Sequence, residues 1–309
     1  MKILTLLFAS LTFLYMPGKD ITVKPEADQN EKPLFSFGLI ADVQYADADP
    51  AGTRYYRESA KKLSDAVNSL KNDSASFVIN LGDLIDRDFN SFQPLLKIIG
   101  DCGIKTYHIK GNHDYSVESH LIKHLPLNES SDKGYFSFVF KNYRFIMLNG
   151  NEISTFSSDN KRKIKFAEDY IAALKNEGSR NAIEWNGGIG RKQLEWLDDE
   201  LGKSKKAGEK VFLFCHYPVW PVNVHNLLNY KEVLSILEKY NNIAAWFSGH
   251  NHAGNYGILN STHFVTLQGM VETEKTNSFA MVEVYENKIG INGYGREKSK
   301  ILTLKKENF

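Results

Sequence analysis

The spacing of apolar positions changes period along the chain. Residues 34–40 (LFSFGLI), 76–81 (SFVINL) and 106–110 (TYHIK) are short apolar runs, the signature of buried strands. Between the first two, residues 55–70 place Leu63, Val67 and Leu70 on one helical face, and residues 92–100 predict a second helix. The order βαβαβ implies parallel strands joined by helical crossovers. The middle changes character. Residues 135–140 (YFSFVF) and 144–149 (RFIMLN) flank Lys141, Asn142 and Tyr143, a hairpin signal. Residues 151–190 are charged and read as an insertion or cap, with a helix over 164–175. A glycine cluster at 187–190 opens a further helix over 191–201; a helix-entry loop explains it better than a phosphate loop. Strands return at 210–215, 244–248, 262–267, 279–285 and 289–294, with one helix over 230–240. No internal repeat is visible. The expected fold class is α/β in the broad sense (α+β), a sandwich of two mixed β-sheets flanked by helices over residues 34–303.

Five polar motifs interrupt this apolar background, each just after the end of a predicted strand: Asp42-Val43-Gln44, Gly82-Asp83, Gly111-Asn112-His113-Asp114, His216, and Gly249-His250-Asn251-His252. In α/β sheets the carboxyl edge of the strands is where ligands bind. Carboxylate, amide oxygen and neutral imidazole are oxygen and nitrogen donors to metal ions, and no thiolate is involved. The set is large enough for two divalent ions, with Asp83 as the natural bridging carboxylate. Two such ions ~3.5–4 Å apart form a clamp for in-line displacement at phosphorus, acidifying a water and neutralising phosphate charge. Singly, each residue has an ordinary use. Asp42 could cap a helix, Asn112 could hold a turn, and Gln44 could be a surface residue. Jointly, seven such residues in this order have one chemical use.

Composition narrows the picture further. With 38 basic and 37 acidic residues the formal charge is +1, so no broad nucleic-acid-binding field exists and phosphate recognition must be local. Hydrophobic residues make up 42% of the chain, enough for a large core. Cys102 and Cys215 are expected to be buried and unbridged. Asp86, Arg87, Asp88, Phe89 and Asn90 begin like a calcium loop, but the following glycine is missing and Lys97 stands where a bidentate Glu is required. His108, His120, His124, His225 and His263 match no motif. At the N-terminus an apolar run over 3–16, broken by Pro17-Gly18, has the length of a signal-peptide core. It predicts a signal peptide or membrane anchor over 1–20, a linker over 21–33, and export to a periplasmic or extracellular location.

The series IADVQ, LGDLID, KGNHD, CHYP and SGHNH resembles the calcineurin-like metallophosphoesterase superfamily. Gln44 stands where most of that superfamily has His. With ADVQYAD, RYYRES, QLEWL and LQGMVET, it makes the chain similar to the manganese-dependent ADP-ribose/CDP-alcohol diphosphatase branch. The resemblance implies a first metal on Asp42, Gln44, Asp83 and His252, and a second on Asp83, Asn112, His216 and His250. It implies that His113, with Asn112, contacts the phosphate, His113 stabilising the transition state or protonating the leaving group. Mn²⁺ is the expected ion, since an amide oxygen suits a harder metal than imidazole does; iron, zinc and magnesium are alternatives. The implied substrate is a nucleotide conjugate: ADP-ribose giving AMP and ribose 5-phosphate, or a CDP-alcohol giving CMP and a phosphoalcohol. Tyr45, Tyr55, Tyr56, Trp220 and Tyr256 are candidates for stacking on the base, and Arg57 for the second phosphate; Tyr45, Tyr56 and Arg57 lead these. The competing readings are a phosphomonoesterase or cyclic-nucleotide phosphodiesterase on the same metals, and a metal-binding protein without catalysis. Oligomeric state is not expressed in the sequence.

Overall fold

A computed structural model describes residues 31–127 and 133–304. The first sheet contains β1 (Phe35–Ile40), β2 (Val78–Asn80), β3 (Thr106–His108), β10 (Ser278–Val284), β11 (Lys288–Gly295) and β12 (Lys300–Thr303), in the order β12-β11-β10-β1-β2-β3. The second contains β4 (Phe136–Phe140), β5 (Tyr143–Met147), β6 (Lys210–Phe214), β7 (Ile243–Ser248), β8 (Ala253–Leu259) and β9 (Thr262–Gln268), in the order β4-β5-β6-β7-β9-β8. Both sheets are mixed. β1, β2 and β3 run parallel, as the alternation with helices predicts. So do β5, β6, β7 and β9.

The central strands β1, β6 and β7 are largely apolar because both of their faces are covered. On β1, Phe35, Phe37 and Leu39 point between the sheets, where they meet Phe145, Phe212, Phe214 and Phe247. Phe37 sits at the centre, with ring centroids 5.4 Å from Phe145 and 5.6 Å from Phe212. The outer face of the first sheet is covered by α1 (Glu58–Asn72) and α2 (Phe92–Cys102), through Leu63, Val67, Leu70, Leu95 and Ile99. The outer face of the second packs on α4 (Arg191–Lys206) and α5 (Tyr230–Leu237), through Leu197, Leu201, Val233 and Leu237. The result is the four-layer sandwich expected. Between β5 and α4 lies α3 (Lys161–Asn176), whose first turn is capped by the Asn160 side chain. Cys102 and Cys215 are buried and free.

Several boundaries differ from the sequence pattern. α1 begins at Glu58 rather than at 55, because Tyr55 is tied by its backbone to Val271. β8 and β12 are not predicted. Both are edge strands with no apolar run to announce them; the side chains of β8 are half-exposed or exposed, and β12 buries only Leu302. The exported location and the N-terminal anchor are corrected. Among the described residues no helix is long and apolar enough to cross a membrane, and the run over 3–16 that prompted them lies outside the described residues. No observation supports a periplasmic or extracellular location, and that expectation is withdrawn.

Candidate metal centre and active site

The parallel strands of both sheets end at the same edge, and the polar motifs follow them there. Asp42 and Gln44 follow β1, Asp83 follows β2, Asn112 and His113 follow β3, His216 follows β6, and His250 and His252 follow β7. Asp42, Gln44, Asp83 and His250 all have left-handed backbone, with φ of 52°, 44°, 55° and 66°. Such conformations cost free energy in non-glycine residues and persist only where surroundings hold them. Here the loops are laced together. The amides of Asp42 and Gln44 donate to the carbonyls of Gly82 and Asp83 at 3.1 and 2.9 Å. The His250 amide donates to the Asp42 carboxylate at 3.0 Å. The buried Asp114 carboxylate accepts from the amides of Asp83 (2.9 Å), Leu84 (2.8 Å) and Gly111 (2.9 Å), joining the loops after β2 and β3. Gly111 permits this approach: a Cβ there would lie 2.1 Å from Asp83 Oδ1.

All seven expected ligand residues come together. Asp83, His216 and His250 form a buried triad able to bind a metal, their donor atoms within 4.8 Å of one another. His216 Nε2 lies 3.3 Å from Asp83 Oδ2, 3.2 Å from His250 Nδ1 and 3.3 Å from Asn112 Oδ1. On the other side of the same carboxylate oxygen, Gln44 Nε2 lies 3.1 Å from Asp83 Oδ2 and 3.1 Å from His252 Nε2. Asp42 Oδ1 is 3.6 Å from His252 Nε2. Asp83 Oδ2 therefore faces two donor groups at once.

The far nitrogen of each histidine is engaged, which fixes its tautomer. His216 Nδ1 donates to the Leu81 carbonyl at 2.9 Å. His252 Nδ1 donates to Glu272 Oε1 at 2.8 Å. His250 Nε2 meets Asn186 Oδ1 at 2.9 Å. The Asn186 amide nitrogen donates to the carbonyls of Asn181 and Val224, so its oxygen must face the ring and accept. In the neutral rings three lone pairs, on His216 Nε2, His250 Nδ1 and His252 Nε2, consequently point inward. Two of them face each other at 3.2 Å, an arrangement that requires a proton or a cation between them.

The charges follow the same geometry. Burial would raise the Asp83 carboxyl, but the imidazoles of His216 and His113 outweigh it and hold Asp83 well below the usual carboxylate range. Burial lowers His216 and His252, yet Asp83 raises the first and Asp42 the second, each to about 9. Burial and neighbouring His216 push His250 far down. Gln44 Oε1 is buried without a partner. Turning that amide over would aim its oxygen at the Asp83 carboxylate and the His252 lone pair, which is tolerable only around a cation. The donor set and this orphaned oxygen fit metal ions.

Other predicted residues lie at varied distances. His113 sits at the mouth, its amide donating to Asp83 Oδ1 at 2.8 Å and its Nδ1 3.0 Å from Asp86 Oδ1. Tyr45 is half-buried, bridged to Ile85 beside the Asp83 loop. Tyr56 is buried against Ala46 and Val271, with the Arg87 guanidinium over its ring. Arg57 is engaged by two exposed carboxylates, Asp47 at 2.5 Å and Asp49 at 2.6 Å. Tyr256 is bonded to His263 on the β8 edge. Sequence reasoning missed Asp86, Glu272, Asn186 and His225. Asp86 lies in the segment that begins like a calcium loop, and it is the partner of His113. The ring of His225 packs on His250 with centroids 5.4 Å apart, and its Nδ1 is buried without a partner.

Fold and site together define a metallophosphoesterase, a hydrolase with a metal triad at the carboxyl edge of a two-sheet sandwich. The pattern of the calcineurin-like phosphoesterase family matches residues 35–254, and the chain belongs to that family. It is closely related to the manganese-dependent ADP-ribose/CDP-alcohol diphosphatases. It is 31% identical over 300 residues to that of Arabidopsis thaliana, covering 87% of this chain and 96% of the relative. It is 32% identical over 292 residues to that of Oryza sativa, covering 84% and 91%. A solved dimetal phosphatase from Danio rerio superposes with a TM-score of 0.80 at 28% identity, covering 89% of this chain and all of that one.

Proposed function

We propose that this protein hydrolyses the phosphoanhydride of nucleoside diphosphate conjugates, such as ADP-ribose and CDP-choline, using two divalent ions of which Mn²⁺ is the preferred one. The observation that carries the reading is the position of Asp83 Oδ2, 3.1 Å from Gln44 on one side and 3.3 Å from His216 on the other. Asp42, Gln44, Asp83 and His252 would hold one ion; Asp83, Asn112, His216 and His250 the other. Ions bound there supply an acidified water and neutralise charge on the phosphate. The names of the relatives support the substrate class and the metal.

The chain's own residues do the rest. Glu272, Asn186 and the Leu81 carbonyl keep the three imidazoles in the tautomers that ligation needs. The loop carrying Glu272 is held in turn by buried Lys62, whose Nζ donates to the carbonyls of Met270 and Thr273 at 2.5 and 2.9 Å. His113 is the acid. Burial lowers it, but Asp83 and Asp86 raise it above the ordinary imidazole value, which favours the protonated ring an acid needs. Its Nδ1–H is turned to Asp86, which leaves Nε2–H to protonate the departing oxygen. Residues 151–190 act as a cap in this reading, since Asn186 reaches the centre from there.

The test is product analysis with Mn²⁺ on ADP-ribose, CDP-choline, AMP and cyclic AMP in parallel. AMP and CMP from the first two, with little action on the others, is the expected result. Turnover confined to the monoester or the cyclic diester would overturn the substrate assignment and leave the metal chemistry standing. Metal choice has its own test. Gln44→His should keep the fold and move the preferred ion away from Mn²⁺ towards metals that favour imidazole. An unchanged order of activation by Mn²⁺, Zn²⁺ and Fe²⁺ would contradict the role given to Gln44.

A further inference from the structure

Helix α1 turns one face to the first sheet through Leu63, Ala66, Val67 and Leu70, and Lys62 lies on that buried face, 4% exposed. An ammonium is costly there. Burial pushes it down to about 8, and neighbouring Arg296 adds to the effect against Glu58 and Glu272. Its hydrogen-bond partners are carbonyl oxygens: Met270 at 2.5 Å, Thr273 at 2.9 Å and Glu272 at 3.3 Å. We infer that Lys62 is a positioning residue that sets the affinity of one ion, the one on Asp42, Gln44, Asp83 and His252, and leaves the other ion unaffected. This rests on the two-ion reading and adds to it a control on one of the two sites alone.

Three observations carry it. The first is that the turn over 270–273 depends on the ammonium. Thr273 has left-handed backbone, with φ of 64°, a conformation that β-branched residues rarely adopt. The carbonyls of Met270, Glu272 and Thr273 converge on one point, and Lys62 is their only donor among the described residues. Three like dipoles so arranged repel one another unless a cation sits between them, and an ammonium has three N–H groups to give. The second is that this turn reaches the ligands of one ion only. The Val271 amide donates to the Asp42 carbonyl at 2.9 Å, and the Gly269 amide donates to the His252 carbonyl at 3.2 Å. Glu272 Oε1 accepts from His252 Nδ1 at 2.8 Å. Among the described residues no hydrogen bond joins 269–273 to Asn112, His216 or His250. The third is that the lysine is held from behind. Asn277 Nδ2 donates to the Lys62 carbonyl at 2.7 Å, tying α1 to the start of β10. With the cation gone the three carbonyls part, Thr273 relaxes, and Glu272 no longer fixes the ring of His252. An outer partner that orients a ligating imidazole contributes to metal affinity without touching the metal.

The experiment is a Mn²⁺ titration of the full chain, followed by electron paramagnetic resonance. Lys62→Met keeps the length of the side chain and removes its charge; Lys62→Arg keeps the charge. Each is combined with His216→Ala, which leaves the ion beside His252, and with His252→Ala, which leaves the ion beside His216. With His216→Ala, Lys62→Met should weaken Mn²⁺ binding by about tenfold, the low end of the loss for an outer partner of a ligand, and Lys62→Arg should recover part of it. With His252→Ala, neither should change the affinity. Glu272→Gln should reproduce the loss, and adding Lys62→Met to it should cost little more, because both act along one path. Should Lys62→Met fail to fold, Lys62→Arg carries the same comparison, with a smaller loss confined to the His216→Ala background. Equal weakening in both backgrounds, or none in either, would overturn the inference while leaving two ions in place. Saturation of the unaltered protein at one ion would overturn the two-ion reading and the inference with it.

Discussion

Asp83→Ala will leave the protein folded but unable to retain either ion, and kcat/KM will fall by roughly four powers of ten, about 5.4 kcal/mol of transition-state stabilisation. The size of the effect follows from position. One oxygen of this carboxylate faces Gln44 and His216 together, while the other accepts the His113 amide at 2.8 Å. On the two-ion reading proposed, its removal would take a ligand from both ions and a support from His113. Its charge is also what holds His216 up to about 9 against burial. Metal analysis of the purified variant and turnover with added Mn²⁺ check this. Retained activity at saturating Mn²⁺ would remove Asp83 from the bridging position.

His113→Gln separates the acid from the metals. It keeps the backbone amide that donates to Asp83 and loses the side chain that faces Asp86. Metal content should stay at the unaltered level. The chemical step should slow by about 10²–10⁴-fold, the range for a lost general acid. The loss should shrink for a substrate whose leaving group is a good one, such as p-nitrophenol, since that oxygen departs without a proton. An equal loss on good and poor leaving groups would make His113 a phosphate-binding residue only. Asp86→Asn offers the companion variant, because its carboxylate orients the same ring and favours its protonated form.

Much of this was legible in the sequence. The strands could be read because both sheets are covered on both faces, so β1, β6 and β7 appear as unbroken apolar runs ending in a polar motif. The candidate ligand residues stand out because each lies within a few residues of the end of such a run. What could not be read was set by contacts distant in sequence. Glu272 reaches His252 from the loop after β9, and Asn186 reaches His250 from a segment read only as a charged insertion. Neither carries a spacing signal. β8 and β12 lie at sheet edges and lack the apolar period that marks a buried strand.

The central claim is a pair of ions sharing Asp83, and electron paramagnetic resonance of the Mn²⁺-loaded protein tests it most directly. Titration should end at two ions per chain, with the spectrum passing from a six-line mononuclear form to that of an exchange-coupled pair, and Asp83→Ala should abolish the coupled signal. Saturation at one uncoupled ion per chain, with full activity, would contradict it.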